Sequence, residues 1–91
     1  MIISYSPRFV RDLKRRSKQV RTAFRDTLKV MIENVHDSSL RAHMLGREWQ
    51  GFWSMDVTDG YRAVFTLEQG GERVCFHTIG THDELYGKDQ G

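Results

Sequence analysis

The apolar residues of this chain change period once, and that change decides what it can fold into. From Val20 they run Val20, Phe24, Leu28, Met31, Ile32 and Val35, spacings that fall on one face of a helix. From residue 50 they alternate instead: Trp53, Met55 and Val57 oppose Phe52, Ser54 and Asp56. Tyr61, Ala63, Phe65 and Leu67 then oppose Arg62, Val64 and Thr66. A helical half and a strand half bury their apolar faces best against each other. The expected fold class is α+β: a two-helix hairpin packed on one face of a twisted antiparallel sheet of about four strands. The other sheet face is then the natural open surface.

Local signals place the elements. Residues 1–5 read as a short first strand. Ser6 can cap a helix that Pro7 starts, and Ser17 can cap a second, giving helices over 7–16 and 18–34. Phe9, Val10 and Leu13 make the apolar stripe of the first helix. Residues 34–39 form a loop, and 40–45 add a short irregular strand. Strands follow over 50–58, 61–68 and 73–79, joined at Asp59-Gly60 and Gly70-Gly71. The stretch from Thr81 to Gly87 reads as a brief helical turn or a tail.

The 91 residues suit one domain spanning 1–91, with one modest core. An apolar content of 38% and a charged content of 29% fit a soluble globule. No stretch approaches the roughly 20 apolar residues of a membrane helix. The start, MIISYSPRF, lacks the layout of a signal peptide, so the cytoplasm is the expected location. A single cysteine, Cys75, excludes an internal disulfide.

Charge is unevenly spread. Residues 1–47 carry 11 Lys and Arg against 4 Asp and Glu, and residues 48–91 carry 3 against 8. The halves balance at +7 and −5, within a net charge of +2. A solvated helix surface explains part of such a run. The size of the imbalance favours a face for phosphate or carboxylate clusters.

Several side chains suit chemistry. Arg62, on the open face of a strand, can hold a phosphate bidentately, or can pair with Asp56 or Glu68. His43 and His82 sit at the edges of strand regions, where acid–base groups can converge. Tyr86 lies four residues after His82, on the same face of any helical turn. His36 reads as a solvated loop residue and His77 as a partly buried, hydrogen-bonded one. Cys75, His77, His82 and His43 together suggest zinc, but structural zinc sites usually use paired cysteines, so acid–base use is preferred. Cys75, mid-strand, reads as an inert packed thiol. Trp49 can stack on bases, whereas Trp53 belongs to the helix-facing core.

Four segments carry a resemblance to a known family: YSPRFVRDLKR, HMLGREWQGFWSMDV, YRAVF and HTIGTHDELY. In that order they resemble the RelE/ParE superfamily of type II toxin–antitoxin toxins, most of all its RelE/YafQ-like ribonuclease branch. The resemblance covers nearly the whole chain, and its last two segments are the most specific. It implies the same α+β fold. It also implies ribosome-dependent cleavage of mRNA by 2′-hydroxyl attack, with no metal or other cofactor.

Carried over by resemblance, Arg62 balances phosphate charge and His82 does acid–base work. Tyr86 stacks or orients, and His43 is a second acid–base group. Lys14, Arg15, Arg16, Lys18, Arg21 and Arg25 are expected against rRNA phosphates. Asp56 stands where the YafQ-like pattern has another histidine, and a carboxylate there repels phosphate. The implied partners are a cognate antitoxin, docked between the helix pair and the sheet, and the ribosome with its mRNA. DNA would be met only through the antitoxin complex. Two alternatives share the fold: a ParE-like gyrase inhibitor, and a catalytically silent antitoxin-binding member.

Overall fold

The computed structural model of the chain describes residues 1–87. Strand β1 (Ile2–Tyr5) leads into helices α1 (Pro7–Lys14) and α2 (Lys18–Glu33). Strands β2 (His43–Met44), β3 (Trp53–Asp56), β4 (Tyr61–Glu68) and β5 (Arg73–Thr81) follow, and α3 (His82–Tyr86) closes the chain. The strands form one sheet in the order β1-β5-β4-β3-β2. All neighbours are antiparallel except β1 and β5, which are parallel. The sheet is thus five-stranded and mixed, with the first strand returning beside the last.

Both helix starts follow from their caps. Ser6 Oγ accepts from the Phe9 amide at 3.0 Å and donates to the His77 carbonyl at 2.8 Å, tying α1 to β5. Ser17 Oγ accepts from the Val20 amide at 3.3 Å. The core lies between this helix pair and one sheet face. Phe9, Phe24, Phe65 and Phe76 meet there, with Phe24 edge-on to Phe76 at 5.0 Å. Val10 and Ile32 are exposed rather than buried, at 38% and 52%, because each stands at the edge of its helical stripe.

Register explains the rest of the core. Phe65 pairs with Phe76 while its neighbour Val64 pairs with Thr78, so His77 is the extra residue of a bulge. The bulge lets Phe76 and Ile79, three apart, both join the helix-facing core. Thr78, on the same strand, is fully buried and donates to Asp12 Oδ2 of α1 at 2.9 Å.

The Asp59-Gly60 turn has no positive φ; Thr58 Oγ1 holds it by accepting from the Gly60 and Tyr61 amides. Strand β3 starts at Trp53, not residue 50. Arg47 (φ 56) and Gly51 (φ 92) curl the preceding residues into a short 3-10 turn over Arg47–Trp49. The segment 40–45 holds a 3-10 turn ending at Leu40 and the two-residue β2.

Candidate active site

The sheet face away from the helix pair carries Ser54, Asp56, Arg62 and Val64. Short α3 folds back toward it. Thr81 and Glu84 cap α3 reciprocally: Thr81 Oγ1 accepts from the Glu84 amide at 3.2 Å, and Glu84 Oε1 accepts from the Thr81 amide at 2.8 Å. Gly80 permits the close return. A Cβ there would stand 3.2 Å from Glu84 Oε1 and 3.3 Å from Leu85 Cδ2.

Between α3 and the loop before β3 opens a cleft of about 630 Å³. Its walls include Arg62, His43, His82 and Tyr86, together with Arg47, Glu48 and Trp49. The four residues singled out for catalysis, spread over 44 positions from 43 to 86, therefore share one cavity. None of the six cations assigned to rRNA lines it.

Each side chain is held in a definite way. The Tyr86 hydroxyl donates to Ser54 Oγ at 3.2 Å, anchoring α3 to the sheet. The His82 ring meets the Tyr86 ring edge-on at 4.9 Å, as their spacing on a helical turn implies. His82 Nδ1 lies 3.7 Å from Asp83 Oδ1. His43 Nδ1 is 3.1 Å from the Arg41 carbonyl. A carbonyl only accepts, so this contact places the proton on Nδ1 and leaves Nε2 as the basic nitrogen. Among the described residues the His77 side chain makes ring contacts and no hydrogen bond, at 5.0 Å from Phe52 and 6.3 Å from Trp49. Trp49 is also edge-on to Tyr86 at 6.1 Å. An aromatic layer thus backs the cleft.

Arg62 is pinned. Its Nε lies 3.0 Å from Asp56 Oδ1, and its Nη1 donates to the carbonyls of Thr58, Asp59 and Tyr61 at 3.1–3.2 Å. Nη2 has no partner among the described residues, which leaves it as the part of the guanidinium open to the cleft. Asp56 also faces Arg41, at 3.5 Å from its Nε. Of the two carboxylates expected as partners of Arg62, Asp56 and Glu68, the structure pairs it with Asp56.

The six helix cations divide. Arg16 is bound into the fold: its side chain is 12% exposed, pairs with Glu84 at 3.2 Å, donates to the Ile79 carbonyl and lies over the Tyr61 ring. Arg15 pairs with Asp12 at 2.8 Å, and Arg21 donates to the Arg16 carbonyl. Lys14, Lys18 and Arg25 are exposed. The Thr81 amide, with help from Arg16, holds the Glu84 carboxyl below its ordinary value against the effect of its partial burial. For Asp12, burial favours the neutral form, but Thr78, Arg15 and Arg8 together outweigh it and lower its pKa.

Arg47 was missed at the sequence level, because nothing in GREWQG marks which residue turns toward a cleft. Among the described residues, no group of three or more His, Cys, Asp and Glu is placed to hold a metal ion. No described helix is long and apolar enough to cross a membrane.

No protein-family model and no curated protein sequence matches the chain. Solved structures do. YafQ from E. coli strain BL21(DE3) superposes with a TM-score of 0.79 at 22% identity, over 93% of this chain and 97% of YafQ. The YoeB/ParE toxin from Agrobacterium tumefaciens gives 0.76 at 16% identity, over 90% and 99%. YafQ in the E. coli DinJ–YafQ toxin–antitoxin complex gives 0.76 at 22%, over 93% and 96%. The fold of this chain is thus that of the YafQ and YoeB/ParE toxins.

Proposed function

We propose that residues 1–91 form one toxin domain of a type II toxin–antitoxin pair, and that it cuts mRNA on the ribosome in the cytoplasm. The observation that carries this reading is the meeting of Arg62, His43, His82 and Tyr86 in one cleft. The shared fold supports the toxin role, and the DinJ–YafQ toxin–antitoxin complex supports an antitoxin as partner. A groove of about 400 Å³ between α2 and the β3–β4 turn, lined in part by Val30, Leu40 and Val57, suits such a partner.

The ribose 2′-oxygen forms a bond to the adjacent phosphorus, and the bond from phosphorus to the 5′-oxygen breaks. The 2′-proton passes to His43 Nε2, and the 5′-oxygen takes a proton from His82. Arg62 Nη2 faces the charge that builds on the phosphate oxygens. Tyr86 holds the His82 ring and offers a surface for a base. The products are a 2′,3′-cyclic phosphate and a 5′-hydroxyl. Exposed Lys14, Lys18 and Arg25 are the cations best placed for rRNA phosphates, with Arg15 and Arg21 beside them.

A second reading is favoured by one contact. Because Asp56 already holds Arg62, the chain would be a silent member that only binds its antitoxin. Primer-extension mapping of cellular mRNA after brief induction separates the readings. Codon-phased cuts that vanish in a His82→Ala, Arg62→Ala double variant are expected. Growth arrest with intact mRNA moves the reading to gyrase inhibition, and no arrest moves it to the silent member.

A further inference from the structure

We propose that Arg47 is a second phosphate-binding residue of the cleft, taking a phosphate next to the one at Arg62 in a single-stranded polynucleotide. This rests on the reading of the cleft as an RNA site.

Three observations converge on Arg47. It lines the same cleft as Arg62 but from the loop before β3, so the two cations stand on different walls. Its side chain is exposed and has no ion pair or hydrogen bond among the described residues. Arg62, Arg41, Arg15 and Arg16 are each tied to a carboxylate. Arg47 is thus an unspent cation in a cavity where the other arginine is largely committed.

The backbone adds the third observation. Arg47 has φ 56, in the left-handed region, where a glycine is unstrained and an arginine is not. Glycines stand nearby at 46 and 51, yet this position carries a long cation. Strain kept at a cleft wall points to use there. The loop is also held firmly. The Leu45 amide donates to the Phe52 carbonyl at 2.9 Å, and the Trp49 and Gln50 amides close the turn at 3.1 Å each. A cation on a fixed turn loses less freedom when it meets a phosphate. Glu48 also lines the cleft.

The test is fluorescence anisotropy of a labelled single-stranded oligoribonucleotide with the full chain, from 50 to about 200 mM salt. Arg47→Gln should weaken binding roughly tenfold at low salt and flatten the salt slope by about 0.7. Arg47→Lys, which keeps the charge, should restore most of both. Arg47→Gly should bind as poorly as Arg47→Gln while melting no lower than the parent, which separates charge from folding. Unchanged affinity and slope in Arg47→Gln, with loss in Arg62→Ala, would overturn the role of Arg47 and leave the RNA site standing. No dependence on either arginine would overturn both.

Discussion

Asp56 Oδ1 lies 3.0 Å from Arg62 Nε, and the two residues are direct partners across the β3–β4 ladder. The carboxylate fixes the guanidinium and at the same time competes with any phosphate for it. Asp56→Asn keeps an oxygen to accept from Nε but removes the charge. Oligoribonucleotide affinity should rise about threefold, while unfolding free energy falls by about 0.5–1 kcal/mol, the scale of a partly exposed pair. Binding and urea titrations on the same variant check both. Weaker binding would mean that the negative charge is needed to aim Arg62.

Arg16 ties the junction of α1 and α2 to α3, which carries His82 and Tyr86. Its side chain is nearly enclosed and makes an ion pair, a carbonyl bond and a ring contact. Arg16→Ala should cost about 1–3 kcal/mol of stability. Arg15→Ala, at an exposed pair within α1, should stay within about 0.5 kcal/mol. Urea unfolding of the two variants measures the contrast, and equal losses would refute a tethering role for Arg16.

Tyr86 acts through both ends. Tyr86→Phe keeps the ring against His82 and Trp49 but strands the buried Ser54 hydroxyl. Stability should drop by about 1 kcal/mol, with mRNA cleavage reduced only a few-fold. Tyr86→Ala also removes the ring and should abolish most cleavage. Thermal melts beside primer extension distinguish the two effects, and identical cleavage by both variants would show that the ring has no role.

Acid should loosen the fold through Asp12 before the core gives way. Its pKa in the folded chain lies below the ordinary 3.8, so the folded state favours the charged form. That stability is present above 3.8, begins to fade as pH falls to that value, and is gone only below the lowered folded value. Glu84 acts in the same direction from its ordinary 4.5, but its side chain is 46% exposed and solvent screens it. Urea midpoints from pH 6 down to 3 should fall, and Asp12→Asn should flatten that fall. An unchanged slope in the variant would remove Asp12 from the account.

The sequence by itself determined the elements and their faces. Helical spacing from Val20 to Val35, serine caps at Ser6 and Ser17, and alternation through β3 and β4 are local properties of the chain. So is the four-residue spacing that sets His82 against Tyr86. Only tertiary structure decided that β1 pairs in parallel with β5, because strand order depends on contacts between residues about 70 positions apart. It also decided the bulge at His77, the positive φ of Arg47, and the division of the arginines between fold and cleft. A charge run looks the same in sequence whether its members are solvated or enclosed. Arg16 is enclosed because Ile79, Tyr61 and Glu84 happen to converge on it, and no period in the first half of the chain records where they lie.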